Sequence, residues 1–161
     1  VIPYSGLRLD RAHDRRADPD WIAARREDAR LLPFWRDRYA PDSEPHGEEV
    51  FLGLDGERGV FAVELAEEPA STVDVRSLFG ELAAQESAML VYAKALLHWS
   101  RNQRFCGACG GETRPRHGGN VRDCLGCGKE LFPRLEPAVI VLVEHEGRAL
   151  FGRHRRSDRF S

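Results

Sequence analysis

Cys106-Gly107-Ala108-Cys109 and Cys124-Leu125-Gly126-Cys127, two CxxC pairs separated by fourteen residues, hold every cysteine of the chain. A CxxC on a tight turn directs both thiolates to one side. Two such knuckles facing each other supply a tetrahedral set of sulfurs at about 2.3 Å from Zn²⁺. Gly107, Gly110, Gly126 and Gly128 stand inside or just after each pair, where these turns need backbone freedom. Two other chemistries use the same residues. Disulfides belong with secretion, and the N-terminus lacks the charged-then-apolar pattern of a signal peptide. A redox-active CxxC opens a helix in a βαβ unit and does not come as two matched pairs. Zinc is the expected ligand of Cys106, Cys109, Cys124 and Cys127, one ion per chain. Four thiolates leave the metal no open position, so its role is structural and the ribbon is not the catalyst. His117, in the intervening segment, is read as an exposed loop residue because the shell is already complete.

Upstream of the first knuckle, Leu82, Ser87-Ala88-Met89, Tyr92, Ala95-Leu96 and Trp99 recur at helical spacing. A long helix is predicted from Glu81 to Arg101, with Met89, Tyr92 and Trp99 as core packing. Before it, Val50–Leu54 and Val60–Leu65 are apolar strand patterns around Asp55-Gly56 and Gly59, which predicts a hairpin with a slightly long turn. Asp18-Pro19 followed by Asp20 predicts a short helix running to about Asp28. Leu31–Trp35 reads as a brief strand whose Pro33 places it at an edge or an end. Downstream of the ribbon, Ala138–Val143 is a continuous β-branched and apolar run, the pattern of a strand buried on both faces. Glu146-Gly147 then turns the chain into a second strand, so a further domain is expected to begin near Pro137.

The 161 residues suffice for one ordinary domain or two small ones. Charged residues make up 31% of the chain, yet the formal net charge is only -2, so no global field favours nucleic acid or anionic membrane and any basic surface must be local. No apolar stretch is long enough to span a bilayer. A folded, cytoplasmic protein with no membrane partner is expected, and Val1 and Ser161 suggest ends cut from a longer chain.

Phe105–Gly111 (FCGACGG), Cys124–Cys127 and the linker Phe132-Pro133-Arg134-Leu135-Glu136-Pro137, entered from a helix and followed by a hairpin ending in Gly152-Arg153-His154, resemble the zinc-ribbon NAD(H) pyrophosphatases of the Nudix hydrolase superfamily, particularly actinobacterial ones. The hairpin of residues 50–65 and the Asp74–Leu78 segment are similar to the N-terminal domain of these enzymes. The resemblance implies an α+β fold in three parts. Residues 1–101 form a β-rich N-terminal domain with a long helix, 102–133 a four-cysteine zinc ribbon, and 134–161 the first strands of a Nudix α/β/α sandwich. It implies cleavage of the pyrophosphate of NAD(H), and of NAD-capped RNA in some members, to nicotinamide mononucleotide and AMP. The chemistry uses Mg²⁺ or Mn²⁺ held by the glutamates of a Nudix box. No such box occurs in these residues. Its ligands are expected beyond Ser161, no residue present is expected to be catalytic, and the chain alone is expected to be inactive. The resemblance further implies a homodimer. It places Phe132 at a base-stacking position usually held by Tyr, Arg76 at a substrate phosphate, and Gly119 where the family offers an acid. The residues by themselves also permit ribbon packing for Phe132 and a surface ion pair for Arg76.

Two other readings stand beside the enzyme. One is a zinc-ribbon module binding nucleic acid or a partner through Arg114, Arg116 and Arg153–Arg156, with Phe105 and Phe132 as stacking surfaces. The other is a catalytically degenerate Nudix homologue.

Overall fold

A computed structural model describes residues 6–78, 80–134 and 141–152. Helix α1 (Pro19–Arg26) starts where its orphan N–H groups find an acceptor: Asp18 Oδ1 takes the N–H of Asp20 at 2.9 Å and of Trp21 at 3.2 Å. Strands β1 (Arg30–Trp35), β2 (Arg38–Tyr39), β3 (Gly47–Asp55) and β4 (Arg58–Leu65) form one sheet in the order β2-β1-β4-β3. The β1–β4 pair is parallel and the other two are antiparallel. β1 is therefore not an outermost strand. Pro33 is tolerated because its missing N–H faces the side that two-residue β2 barely covers, where its carbonyl accepts from Ala40 N at 2.9 Å. The β3–β4 connection is shorter than predicted. Asp55 pairs with Arg58 across two residues, and Gly56 takes the left-handed φ of +64° that such a tight turn requires.

Both faces of this sheet are covered. Leu32, Phe34, Val50, Leu52, Val60 and Ala62 face helix α2 (Ala84–Asn102), which answers with Met89, Leu90, Ala93, Leu96 and Leu97. Phe51, Leu54 and Phe61 point the other way, toward Trp21 and Ile22 of α1. A bulge between Phe51 and Gly53 shifts the alternation and puts Leu54 on the same face as Phe51. α2 begins later than the periodicity predicts, because Leu82 sits in the preceding turn and is 37% exposed. No side chain caps its start at Ala83. Burial holds it instead, each fully buried large apolar side chain being worth roughly 1.5–3 kcal/mol.

Beyond α2, strands β5 (Thr113–Arg116), β6 (Val121–Cys124) and β7 (Glu130–Leu131) make a small antiparallel sheet. Strands β8 (Glu144–His145) and β9 (Arg148–Ala149) form a hairpin around Glu146-Gly147, as expected. Val141–Val143 are exposed and not in a strand, which corrects the expectation of a doubly buried strand there. The described residues bring no apolar surface against them, and a strand needs such a partner on each face to be buried. Residues 138–140 of the same run lie outside the described residues. No described helix is long and apolar enough to cross a membrane.

Candidate metal centre and adjoining hollow

The two knuckles have one backbone pattern. Gly110 N donates to Cys106 O at 2.8 Å, and Gly128 N donates to Cys124 O at 3.0 Å. Gly110 and Gly128 adopt φ of +74° and +72°, whereas Gly107 and Gly126 do not need the left-handed region. N–H groups then point at sulfur: Ala108 to Cys106 and Gly111 to Cys109 at 3.4 Å, Gly126 to Cys124 at 3.3 Å. All four Sγ atoms lie within 4.8 Å of one another, with Cys106–Cys127 at 3.9 Å and Cys109–Cys124 at 3.4 Å. A tetrahedron of sulfurs at about 2.3 Å from zinc has edges of about 3.8 Å, so the quartet fits that ion closely. The thiols are unpaired by disulfide, which removes that rival. Gly111 leaves room for the cluster, since a Cβ there would stand 3.2 Å from Cys124 Sγ and 3.3 Å from Cys109 Sγ. Its role was not read from sequence, where it is only one more glycine. His117 takes no part, standing half-buried in the β5–β6 turn with φ of +50° and facing Arg116 at 3.3 Å.

The ribbon is fastened to the preceding elements at two places that no motif announces, one on β3 and one on α2. Phe51 N donates to Gly118 O at 2.8 Å, and the buried Asn120 returns a bond from Nδ2 to Phe51 O at 2.7 Å. Arg122 is 6% exposed and bonds Thr113 Oγ1 at 2.8 Å, Ser100 Oγ at 2.9 Å and Thr113 O at 3.0 Å, joining β6 to the end of α2. Gly119 cannot serve as the family's acidic position. Its φ is +84°, and a Cβ would meet Val50 at 3.0 Å.

Arg76 stands on a 3-10 turn (Val75–Leu78), positioned by its own N–H bonding Asp74 Oδ1 at 3.0 Å. It lines an open hollow of about 740 Å³ together with Lys94, His98, Trp99 and Arg134. Arg76 makes no ion pair among the described residues, contrary to the bland expectation for it. Trp99 lines this hollow and is not in the core, and its Nε1 is buried without an acceptor among the described residues. Asp37 forms another part of the wall. Burial opposes its charge, yet bonds from Arg101 at 2.7 Å and His98 at 3.1 Å hold its carboxyl below the usual range. Phe132 is 59% exposed and does not border the hollow, so the structure does not bring the two expected substrate residues together, nor does it pack Phe132 into the ribbon. Arg134, two residues on, does reach the hollow.

Comparison with known proteins places this arrangement. A family model described as an NADH pyrophosphatase-like rudimentary NUDIX domain matches residues 14–99, and the NADH pyrophosphatase zinc ribbon domain matches residues 101–132. This chain belongs to the NADH pyrophosphatase-like NUDIX family. Its relatives include the NAD-capped RNA hydrolase NudC of Deinococcus radiodurans, 40% identical over 97 residues, covering 58% of this chain and 35% of that protein. The protein of the same name from Mycobacterium tuberculosis is 42% identical over 113 residues, covering 65% and 36%. Nudix hydrolase 19, chloroplastic, of Arabidopsis thaliana is 33% identical over 117 residues, covering 66% and 27%. The chain thus spans about a third of the length of the curated relatives it matches. As a NUDIX family member it pairs an α+β N-terminal domain with a four-cysteine ribbon, in the order the sequence implied.

Proposed function

We propose that this chain is the N-terminal and zinc-ribbon portion of a hydrolase that cleaves the pyrophosphate of NAD(H), and of NAD-capped RNA, to nicotinamide mononucleotide and AMP. The observation that carries the reading is the consecutive match of both modules, 14–99 and 101–132, with the four thiols of the second already gathered around a zinc-sized centre. Cys106, Cys109, Cys124 and Cys127 are assigned as ligands of one structural Zn²⁺. The assigned division is 1–101, 102–133 and 134–161. Among the described residues the cysteine quartet is the one group of three or more His, Cys, Asp or Glu placed to share an ion. The ligands for Mg²⁺ or Mn²⁺, which would neutralise pyrophosphate charge and activate water, are therefore assigned outside those residues. Arg76, beside Lys94 and Arg134, is assigned to a substrate phosphate. Phe132, whose ring is exposed, is assigned to stacking on a base. Cytoplasmic location and a homodimer complete the reading.

The test uses the protein with its natural continuation, zinc-loaded and supplied with Mn²⁺. AMP is expected from NADH, and Arg76→Ala is expected to raise KM about tenfold with a smaller change in kcat, the effect of losing about 1.4 kcal/mol of ground-state binding. Absence of AMP across divalent metals and dinucleotides would sink the enzyme reading. An unchanged KM would remove Arg76 from the substrate.

A further inference from the structure

The four ribbon sulfurs are not equivalent. They form two close pairs across the knuckles, Cys106 with Cys127 at 3.9 Å and Cys109 with Cys124 at 3.4 Å, and each pair joins one buried residue to one exposed one. Cys106 and Cys124 are each 3% exposed, so a solute reaches the quartet through Cys109 or Cys127.

Backbone donors separate those two. Cys109 Sγ accepts from Gly111 N, two residues on, at 3.4 Å. Cys106 accepts from Ala108, and Cys124 accepts from both Gly126 and Cys127. Lys129 follows Cys127 as Gly111 follows Cys109, yet no N–H among the described residues reaches Cys127 Sγ. The knuckles share the same turn bonds at Gly110 and Gly128 and differ in this one. An N–H aimed at a thiolate draws off part of its charge and slows its attack on an electrophile. Cys127 keeps its charge undivided and is exposed, the two properties that select a cysteine for oxidation. Its partner is at hand: about 2 Å of closure takes Cys106 and Cys127 from 3.9 Å to the length of a disulfide.

We infer that the ribbon is a peroxide-responsive switch in which Cys127 is oxidised first and Cys106 closes on it, releasing zinc. The co-reactant is hydrogen peroxide. The Cys127 thiolate attacks one peroxide oxygen and the O–O bond breaks, giving a sulfenic acid and hydroxide. The Cys106 thiolate then attacks the Cys127 sulfur and displaces a second hydroxide as the S–S bond forms. Two electrons pass from the sulfurs to the peroxide, and both hydroxides take protons from solvent. Cys109 and Cys124 remain as a two-sulfur site that holds zinc far more weakly, and a second peroxide closes them in the same way. Both bonds tie the turns that zinc ties, so the oxidised ribbon keeps β5 against β6 without metal. The inference rests on the quartet holding zinc and is independent of the hydrolase reading.

The experiment exposes the zinc-loaded protein, with its natural continuation, to hydrogen peroxide in the presence of a zinc-sensitive dye, traps sulfenic acid with dimedone and maps the products by peptide mass spectrometry. Dimedone is expected on Cys127, followed by a Cys106–Cys127 disulfide and release of the zinc, reversed by dithiothreitol with added zinc. Cys127→His keeps a zinc ligand at that place and is expected to slow release about tenfold, the scale that one hydrogen bond to a charged acceptor sets on a barrier. Cys109→His should leave the rate near that of the parent. If either histidine variant fails to retain zinc before treatment, the mapping in the parent protein decides. Hydrogen exchange gives a separate reading: the oxidised, zinc-free ribbon should keep the amide protection of β5 and β6 that chelation removes. Sulfenic acid first on Cys109, a disulfide within one knuckle, or zinc retained under millimolar peroxide would overturn the inference, as would loss of protection on oxidation equal to that on chelation.

Discussion

Arg30 and Glu86 join the first strand to the first turn of α2 through two parallel hydrogen bonds, Nη1 to Oε1 at 2.7 Å and Nη2 to Oε2. The bond from Arg30 holds the Glu86 carboxyl below its ordinary value against the opposing effect of burial, and a carboxylate near a helix start is favoured as well. Because the folded pKa lies below the unfolded one, the unfolded chain binds more protons in acid. The contribution is complete above the ordinary value of 4.5 and is lost as pH falls through the folded value. Both side chains are about a third exposed, so solvent screening reduces the pair to about 0.5–1 kcal/mol. Glu86→Gln should lose that much stability in urea melts at neutral pH, and the gap to the parent protein should close in acid. A gap that stays constant with pH would show that the contact is not ionic. Nothing in the local sequence foretells this pair, since its members stand 56 residues apart.

Among elements, the β5–β6 turn has consequences beyond its length. His117, Gly118 and Gly119 take positive φ in succession, which turns Asn120 inward onto Phe51. A sequence reading finds two glycines and a histidine there and predicts a loop. The structure shows a joint that engages the outer side of β3, where Gly118 accepts from the Phe51 N–H. Asn120→Ala removes a buried donor to the Phe51 carbonyl and should cost about 1–3 kcal/mol in thermal or urea denaturation. Zinc content should be unchanged, because the knuckles close through their own backbone bonds. Loss of zinc in the same variant would mean that turn and knuckles form one cooperative unit. The N-cap at Asp18 and the presence of a hairpin at Asp55-Gly56 were legible beforehand because each depends on groups only a few residues away. The two-residue tightness of that turn was not, since the register of β3 on β4 sets it.

For the molecule as a whole, two parts rest on different physics. The N-terminal sheet carries apolar clusters on both faces, whereas the only apolar or cysteine side chains the ribbon buries among the described residues are Cys106, Val121 and Cys124, beside the polar Thr113, Asn120 and Arg122. A small unit without an apolar core depends on its metal. Chelation is therefore expected to abolish amide protection across residues 104–131 and release four reactive thiols, while β3, β4 and α2 keep their protection. Hydrogen exchange with and without chelator measures this directly. Retention of protection in the ribbon after metal removal would refute a structural role for zinc.

Sequence alone determined the features whose causes are local. Paired CxxC spacing defines the ribbon, Asp18-Pro19 starts α1, and the helical period of residues 87–96 marks α2, because each rests on the geometry of a few consecutive residues. Only the tertiary structure decided that β1 lies parallel to β4, that Trp99 faces a hollow beside Arg76 while Phe132 does not, and that Asn120 gathers Phe51, Tyr92 and Arg16. The last of these contacts spans 104 residues. Such meetings arise from the way whole elements bury their apolar faces, and no local period or spacing encodes which side chains that packing will bring together.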